Sequence, residues 1–340
     1  MTAIFLMCSE RSGSNLITRM FDAHPDCCGP SPSHLVRILA ENRFRYGDLR
    51  DDGAWKLLLQ DAADILATKL GVWNRSWTAA QLAEACRERT LAALVRTVFE
   101  AEAEAAGKHH LFIKENHLYR YLPFVQRAFS GPKILAMVRD PRDMALSWRR
   151  SPILRGGVVR AAGIWYEDQM NLLRVMGFLG PEREIHLLRY EDLIRNPEDR
   201  LEEACRFAGL EWNPAMTAFH HRETAVRDAG RSDDWKNLGS PVLSGNHRKW
   251  VTGLTPTEAA YVEVVCAEPM AALGYDRELN DPRSVEELEA LLRPLEPYDK
   301  PGWEEVPAKE KELRLARTRV VQRIAARPAA AVTARECAHA

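Results

Sequence analysis

Ala3-Ile4-Phe5-Leu6-Met7-Cys8-Ser9-Glu10-Arg11-Ser12-Gly13-Ser14-Asn15-Leu16-Ile17 is a short apolar run that empties into small polar residues and then into a second apolar pattern. Ala3 to Met7 carries β-branched and aromatic members and is short enough for a buried strand. Ser12, Gly13, Ser14 and Asn15 are residues that turn a chain and cap a helix. Leu16, Ile17, Met20 and Phe21 then fall on one helical face. A helix that starts in a loop of small residues leaves backbone N–H groups unpaired, with the positive end of the helix dipole behind them. Such a turn is an anion site, and Arg11 adds a full positive charge to it.

Downstream, His24-Pro25-Asp26 stops the first helix, and Cys27-Cys28-Gly29-Pro30-Ser31-Pro32-Ser33-His34 follows as a loop held open by two prolines and a glycine. Residues 35–107 are helical in composition throughout, with Ser76 and Thr78 as caps, and read as a helical insertion beside the core. Three further strands are expected at 111–114, 133–138 and 184–189. The first ends on Lys114-Glu115-Asn116-His117 and the second on Arg139-Asp140-Pro141-Arg142-Asp143. Asp140 as N-cap, Pro141 as first helical residue and Asp143 as a second acceptor start a helix that carries Ser147 in its early turns. Asn196-Pro197 opens another helix, which stops at Gly209. Strand, loop and helix alternate, so the chain is an α/β protein with a mostly parallel central sheet flanked by helices. Ligands of such sheets bind at the carboxyl ends of the strands, where these polar clusters sit.

Residues 212–249 lose regular pattern and read as a long loop closing on His247-Arg248-Lys249-Trp250. One helix is expected over 255–272, and residues 281–340 read as a charged, helical, surface-like extension, Ala-rich and frayed after Arg327. Hydrophobic residues make up 46% and charged residues 28% of 340, with a net charge of -1, so no field for polyanions exists and nucleic acid is a poor candidate partner. The opening apolar run has no basic leader and is too short for a signal peptide or a membrane span, which points to the cytoplasm. Seven scattered cysteines do not form a disulfide framework, and the adjacent Cys27 and Cys28 are not a metal-binding pair, so free thiols and no structural metal are expected.

The first loop lacks G-x-x-x-x-G-K-[ST], and no Lys-Ser or Lys-Thr follows Gly13, so a magnesium ligand at the helix start is weakly supported. Arg139 with Ser147 offers a guanidinium fork and a hydroxyl, the donors for a second phosphate. The opposing reading is a surface salt bridge between Arg139 or Arg142 and Asp140 or Asp143, a common arrangement worth little. R-S-G-S-N-L, D-A-H-P, V-R-D-P-R-D-x-x-x-S and R-Y-E-D-L-x-x-x-P, in that order over residues 3–275, together resemble sulfotransferases that use 3′-phosphoadenosine 5′-phosphosulfate (PAPS). The resemblance implies a P-loop NTPase-like architecture, with residues 1–280 as one sulfotransferase domain. It implies that Arg11, Ser12, Gly13, Ser14 and Asn15 bind the 5′-phosphosulfate and that Arg139 and Ser147 bind the 3′-phosphate. Tyr190 then looks toward the adenine, and Arg248 with Lys249 closes over the 3′-phosphate.

Sulfonyl transfer needs in-line geometry and neutralisation of charge on the bridging oxygen, tasks for Arg11 and Lys114. It requires no metal in principle, because a sulfonate carries less charge than a phosphoryl group. Relatives often place a catalytic Glu shortly after the glycine of the second loop. This chain departs from that pattern with Gly29-Pro30-Ser31-Pro32-Ser33-His34, which makes His34 the nearest titratable candidate for general base. His117 and Glu115, after the strand-ending Lys114, compete for the role. The acceptor is expected to be a hydroxyl of a carbohydrate, lipid or other small molecule. A small-metabolite kinase and a non-catalytic nucleotide-binding interaction protein are the alternatives, and the oligomeric state is left open, a homo-oligomer among the options.

Overall fold

The apolar run at the start of the chain forms β1 (Ala3–Cys8), with all six residues buried. Alternation along the strand sends Ala3, Phe5 and Met7 into one apolar cluster and Ile4, Leu6 and Cys8 into another, so both faces of the sheet are covered. The structure is a computed structural model that describes residues 1–179, 185–296 and 299–331. After β1 come α1 (Ser14–Ala23), β2 (Cys27–Cys28), and the helical stretch α2 (Leu35–Glu41), α3 (Asp52–Ala67), α4 (Ala79–Ala85) and α5 (Leu91–Ala105). Thr78 and Gln81 cap α4 reciprocally. Then β3 (His110–Lys114), α6 (Leu122–Ala128), β4 (Lys133–Val138), α7 (Pro141–Arg149), α8 (Gly157–Leu179) and β5 (Ile185–Arg189) follow. The second half is helical: α9 (Tyr190–Arg195), α10 (Pro197–Ala208), α11 (Glu223–Ala229), α12 (Trp250–Gly253), α13 (Pro256–Val265), α14 (Ala267–Ala272), α15 (Val285–Leu292) and α16 (Ala308–Ala325).

The five strands are all parallel, in the order β2-β3-β1-β4-β5. β1 is central, and its register sets Leu6 against Lys114 on one side and Cys8 against Met137 on the other. The carboxyl ends of β3, β1 and β4 therefore lie side by side, which brings the loops after Cys8, Lys114 and Val138 together. α1 packs its Ile17, Met20 and Phe21 on one sheet face, with the Phe21 ring stacked 4.3 Å from that of Phe112. α2, α5 and α8 cover the other face.

The structure departs from the sequence reading in five places. Cys27 and Cys28 are not open loop; they pair with His110 and Leu111 as a parallel edge strand. Residues 149–168, basic and Gly-containing, read as turning helical only around Trp165, but α8 begins at Gly157, because the Glu296 carboxylate accepts the N–H groups of Val158 at 2.8 Å and Val159 at 3.2 Å and substitutes for a local cap. Residues 212–249 are mostly short helical pieces, α11 and the 3-10 turns Pro214–Met216, Phe219–His221 and Asp233–Gly239. The helix expected over 255–272 is two helices that meet at Cys266.

The fifth departure is α16, which is not a surface appendage. Its Val320 and Ile324 join the cluster that contains Phe5, and its Arg323 and the following Arg327 pair with the buried Asp61 of α3. The Ala330 N–H donates to the Phe44 carbonyl at 3.0 Å, so the chain is held beyond Arg327, and residues 332–340 lie outside the described residues. The six cysteines among the described residues are free and buried, and no described helix is long and apolar enough to cross a membrane.

Candidate active site

At the end of β1 the backbone reverses through two left-handed residues, Arg11 at φ 63° and Gly13 at φ 86°. Gly13, not a serine, precedes α1, and no side chain caps that helix, so its first-turn N–H groups have no side-chain acceptor. A Cβ on Gly13 would lie 2.4 Å from Cδ2 of Tyr190, so the glycine is required both by its backbone angle and by the ring against it. Ser12 is buried, and its hydroxyl has no hydrogen-bond partner among the described residues. An unpaired buried hydroxyl costs free energy unless a ligand satisfies it.

Ser147, expected beside Arg139, instead accepts a hydrogen bond from Arg11 Nε at 3.1 Å, and the Arg11 guanidinium also pairs with Asp234 at 3.1 Å. Arg139 donates to the carbonyls of Arg11 at 2.9 Å and Asn246 at 3.3 Å and lies 4.5 Å above the Tyr190 ring. Its Nε has no partner, and no carboxylate pairs with it among the described residues. The salt-bridge reading is satisfied by its neighbour: Arg142 pairs with Asp140 at 2.7 Å and Glu263 at 2.5 Å. Asp143 does not serve its own helix; it accepts the N–H groups of Arg248 at 2.6 Å and Trp250 at 2.9 Å. Arg139 is thus left without an ion-pair contact among the described residues, and the Asp143 carboxylate feels its charge only from a distance.

These groups line one cavity of about 810 Å³. Arg11, Gly13, Ser14 and Asn15 form its floor, with Ser12 buried behind them. Arg139, Ser147, Tyr190 and Lys249 form one side and Lys114 and His34 another. Lys114 Nζ donates to Asn15 Oδ1 at 2.9 Å, and burial pushes its ammonium below the usual lysine range. Burial, with Arg37, Arg317 and Lys114 nearby, holds His34 well below the ordinary histidine value, so its imidazole is neutral. His34 Nδ1 is buried and faces Glu115 Oε2 at 3.8 Å.

Besides the buried Ser12, three sequence candidates do not reach the cavity lining. The Glu115 carboxylate is fully buried and accepts the N–H groups of Val36 at 3.2 Å and Arg37 at 3.4 Å, which caps α2; burial pushes it up to about 7. His117 turns its Nδ1 to Asp168 at 3.3 Å and to the Tyr119 hydroxyl at 3.2 Å. The Arg248 guanidinium pairs with Glu278. Sequence reasoning in turn missed Asn246, which donates to the Tyr190 hydroxyl at 2.6 Å, Asp234, and Arg317 of α16. Asn246 stands next to the His-Arg-Lys-Trp run and could have been read with it, whereas nothing local distinguishes Arg317 from the other arginines of α16.

The sulfotransferase family matches residues 3–214, well over half of the chain, and the sulfotransferase domain matches residues 161–274. The chain belongs to the sulfotransferase family. Among similar proteins, protein-tyrosine sulfotransferase 1 of Danio rerio is 26% identical over 296 residues, covering 83% of this chain and 74% of its own. The nodulation protein NoeE of Sinorhizobium fredii is 24% identical over 303 residues, covering 83% and 68%. The sulfotransferase domain from the curacin biosynthetic pathway superposes with a TM-score of 0.56 at 21% identity over 81% of this chain and 98% of its own. That of the Synechococcus PCC 7002 olefin synthase gives 0.57 at 19% identity over 81% and 95%. The two structures show the shared P-loop-like fold. This sulfotransferase is therefore a PAPS-dependent enzyme by family. The family matches stop at residues 214 and 274, both short of α16, although α16 contributes Arg314, Arg317 and Thr318 to the cavity.

Proposed function

We propose that this sulfotransferase binds PAPS in the 810 Å³ cavity and transfers its sulfonyl group to an acceptor hydroxyl by in-line displacement. The observation that carries the reading is Arg139, a cation with no ion-pair contact among the described residues at one strand end, facing the same cavity as the uncapped helix start at the neighbouring strand end. Two separated sets of unsatisfied donors suit a nucleoside with an anionic group at each end, and the orphaned Ser12 hydroxyl and Arg139 Nε are the atoms such a ligand would satisfy. Bound PAPS supplies an activated sulfonyl group and a bisphosphate leaving group. Gly13, Ser14 and Asn15 hold the phosphosulfate end on the first-turn N–H groups, with Arg11 and Ser12. Arg139, Ser147 and Lys249 hold the 3′-phosphate, and Tyr190 flanks the adenine. Arg11 and Lys114 stabilise the negative charge that develops on the oxygen released.

His34 is the general base. Its Nδ1 faces Glu115, so Nε2 is the nitrogen open to the cavity, and a neutral imidazole accepts the hydroxyl proton there. The acceptor is a hydroxyl of a carbohydrate, lipid or other small molecule. The protein-tyrosine sulfotransferase relatives favour a second reading, a tyrosine hydroxyl. The six buried free thiols among the described residues support a reducing compartment, the cytoplasm.

Adenosine 3′,5′-bisphosphate at about 100 times its Kd should add about 2.7 kcal/mol of stability and raise the melting temperature by several degrees. ATP with magnesium should do less, since no Lys-Ser or Lys-Thr follows Gly13. Absence of any shift with the bisphosphate, or a larger one with ATP and magnesium, would overturn the reading. Transfer from labelled PAPS across a panel of hydroxyl acceptors, a tyrosine peptide included, separates the enzyme from a binding protein.

A further inference from the structure

A second cavity, of about 700 Å³, opens beside the first and shares Thr68, Lys69, Leu70 and Leu313 with it. One wall is the turn that follows α3, residues 67–76, and the other is the start of α16. The second wall lies beyond residue 274, where the later of the two family matches ends, so this cavity is built partly by a segment outside the matched domain.

Its electrostatics are one-sided. Lys69, Arg75, Arg231 and Lys309 line it against a single carboxylate, Glu312. None of the four cations pairs with a carboxylate among the described residues. Lys69 donates to the Leu66 carbonyl at 2.9 Å, and the Arg75 guanidinium rests 4.7 Å over the Trp77 ring. Elsewhere on α16, Lys311 pairs with Glu304, Arg314 with Glu310, and Arg323 with Asp61 and Asp64, while Arg317 donates to the carbonyls of Ile65 and Ser33. The chain as a whole is nearly balanced, with 47 basic and 48 acidic residues, so composition does not explain the local excess. Burial pushes the Lys69 ammonium below its ordinary range; the buried Glu102, which accepts the N–H groups of Asn74 and Arg75 behind the turn, opposes that shift, and the neighbouring Arg317 and Arg231 add to it. A cleft lined by one sign of charge concentrates counter-ions of the other.

We propose that the second cavity is an acceptor subsite, which holds an oxyanion (carboxylate, sulfate or phosphate) carried by the acceptor at a distance from the hydroxyl that is sulfonated. The proposal rests on the sulfotransferase reading for the place of that hydroxyl, while the anion site itself rests on the second cavity alone. An acceptor spanning both cavities passes Thr68 to Leu70 and Leu313, so its charged group is recognised by the turn after α3 and by α16 rather than by the donor loops.

The test is calorimetric titration of the full chain, first with adenosine 3′,5′-bisphosphate and then, with that ligand saturating, with three probes: inorganic tripolyphosphate, triglutamate and a trisulfated disaccharide. At least one probe should bind in a salt-sensitive way. The Arg75→Gln/Lys309→Gln variant should weaken it about tenfold, and Glu312→Gln should tighten it about threefold, because it removes the one acidic group of the cavity. Bisphosphate affinity should stay the same in both variants. Binding of no probe, or equal binding to wild type and both variants, overturns the subsite. The opposite signs expected for the two variants separate a charge effect from damage to the fold. Failure of the bisphosphate alone to bind counts against the donor reading, and the probes titrated without it still decide the anion site. The probe that loses most affinity in the double variant identifies the oxyanion.

Discussion

Arg139 and Arg142 stand three residues apart and differ in one respect that decides their use. Arg142 is enclosed by Asp140 and Glu263, whereas Arg139 meets only carbonyl oxygens and an aromatic face. Charge-assisted hydrogen bonds from a guanidinium to a phosphate are worth about 1.5–3 kcal/mol, so Arg139→Ala should weaken adenosine 3′,5′-bisphosphate binding by about 10- to 100-fold in calorimetry. The melting temperature of the ligand-free protein should change little, because no ion pair is broken. His34 gives a prediction in pH. A base works when unprotonated, and burial among cations holds this histidine well below 6.5. Activity should therefore be flat from neutrality down past pH 6.5 and fall only at lower pH, where the imidazole takes up its proton. An acid limb of kcat/KM at or above pH 6.5 would contradict the role, and His34→Gln should lower kcat by about 10²- to 10⁴-fold. Backbone geometry points to the same residues: Arg11, His34, His117 and Arg248 are the non-glycine residues with positive φ among those described. Left-handed backbone at such positions costs of order 1–3 kcal/mol each and gathers at functional sites. The side chains of His117 and Arg248 turn away from the cavity, to Asp168 and Glu278.

Among the elements, the reading of β1, β3 and β4 followed from continuous apolar runs, and that of α7 and α13 from their caps. Asp140 with Pro141 starts α7, and a Thr255–Glu258 capping box starts α13. β2 escaped because a two-residue strand has no period, and its pairing depends on residues more than eighty positions away in β3. α16 escaped for a similar reason. Its sequence is charged on every side, and what docks it is Asp61, buried in α3, which accepts from Arg323, Arg327 and the Tyr46 hydroxyl. Asp61→Ala leaves two arginines facing a vacated anion and should cost about 3 kcal/mol in denaturant unfolding. Because α16 reaches the cavity beside the loop after β2, where Arg317 donates to the Ser33 carbonyl, and Arg139 stands after β4, the same variant should raise the acceptor KM while leaving bisphosphate affinity within about twofold. Weakened bisphosphate binding together with an unchanged acceptor KM would reverse that assignment.

In the whole molecule, charge is nearly balanced at -1, yet cationic side chains outnumber acidic ones around the main cavity. Long-range steering of an anionic donor must then come from the local field of the cavity. The association rate of the bisphosphate should fall about tenfold between about 0.05 and 0.5 M salt, and a salt-independent rate in stopped flow would show that the cavity field does not act at a distance. The sequence by itself determined that a parallel sheet forms and that polar clusters stand at its strand ends, because strand length, apolar runs, caps and breakers are local properties of the chain. Tertiary structure alone decided the rest. The strand order β3-β1-β4 sets three clusters side by side, a carboxylate 121 residues away occupies Arg142 and leaves Arg139 free, and burial turns Glu115 inward and leaves His34 on the cavity. Each of these depends on which distant group arrives as a neighbour, and electrostatics and burial are set by neighbours in space, of which the local sequence carries no trace.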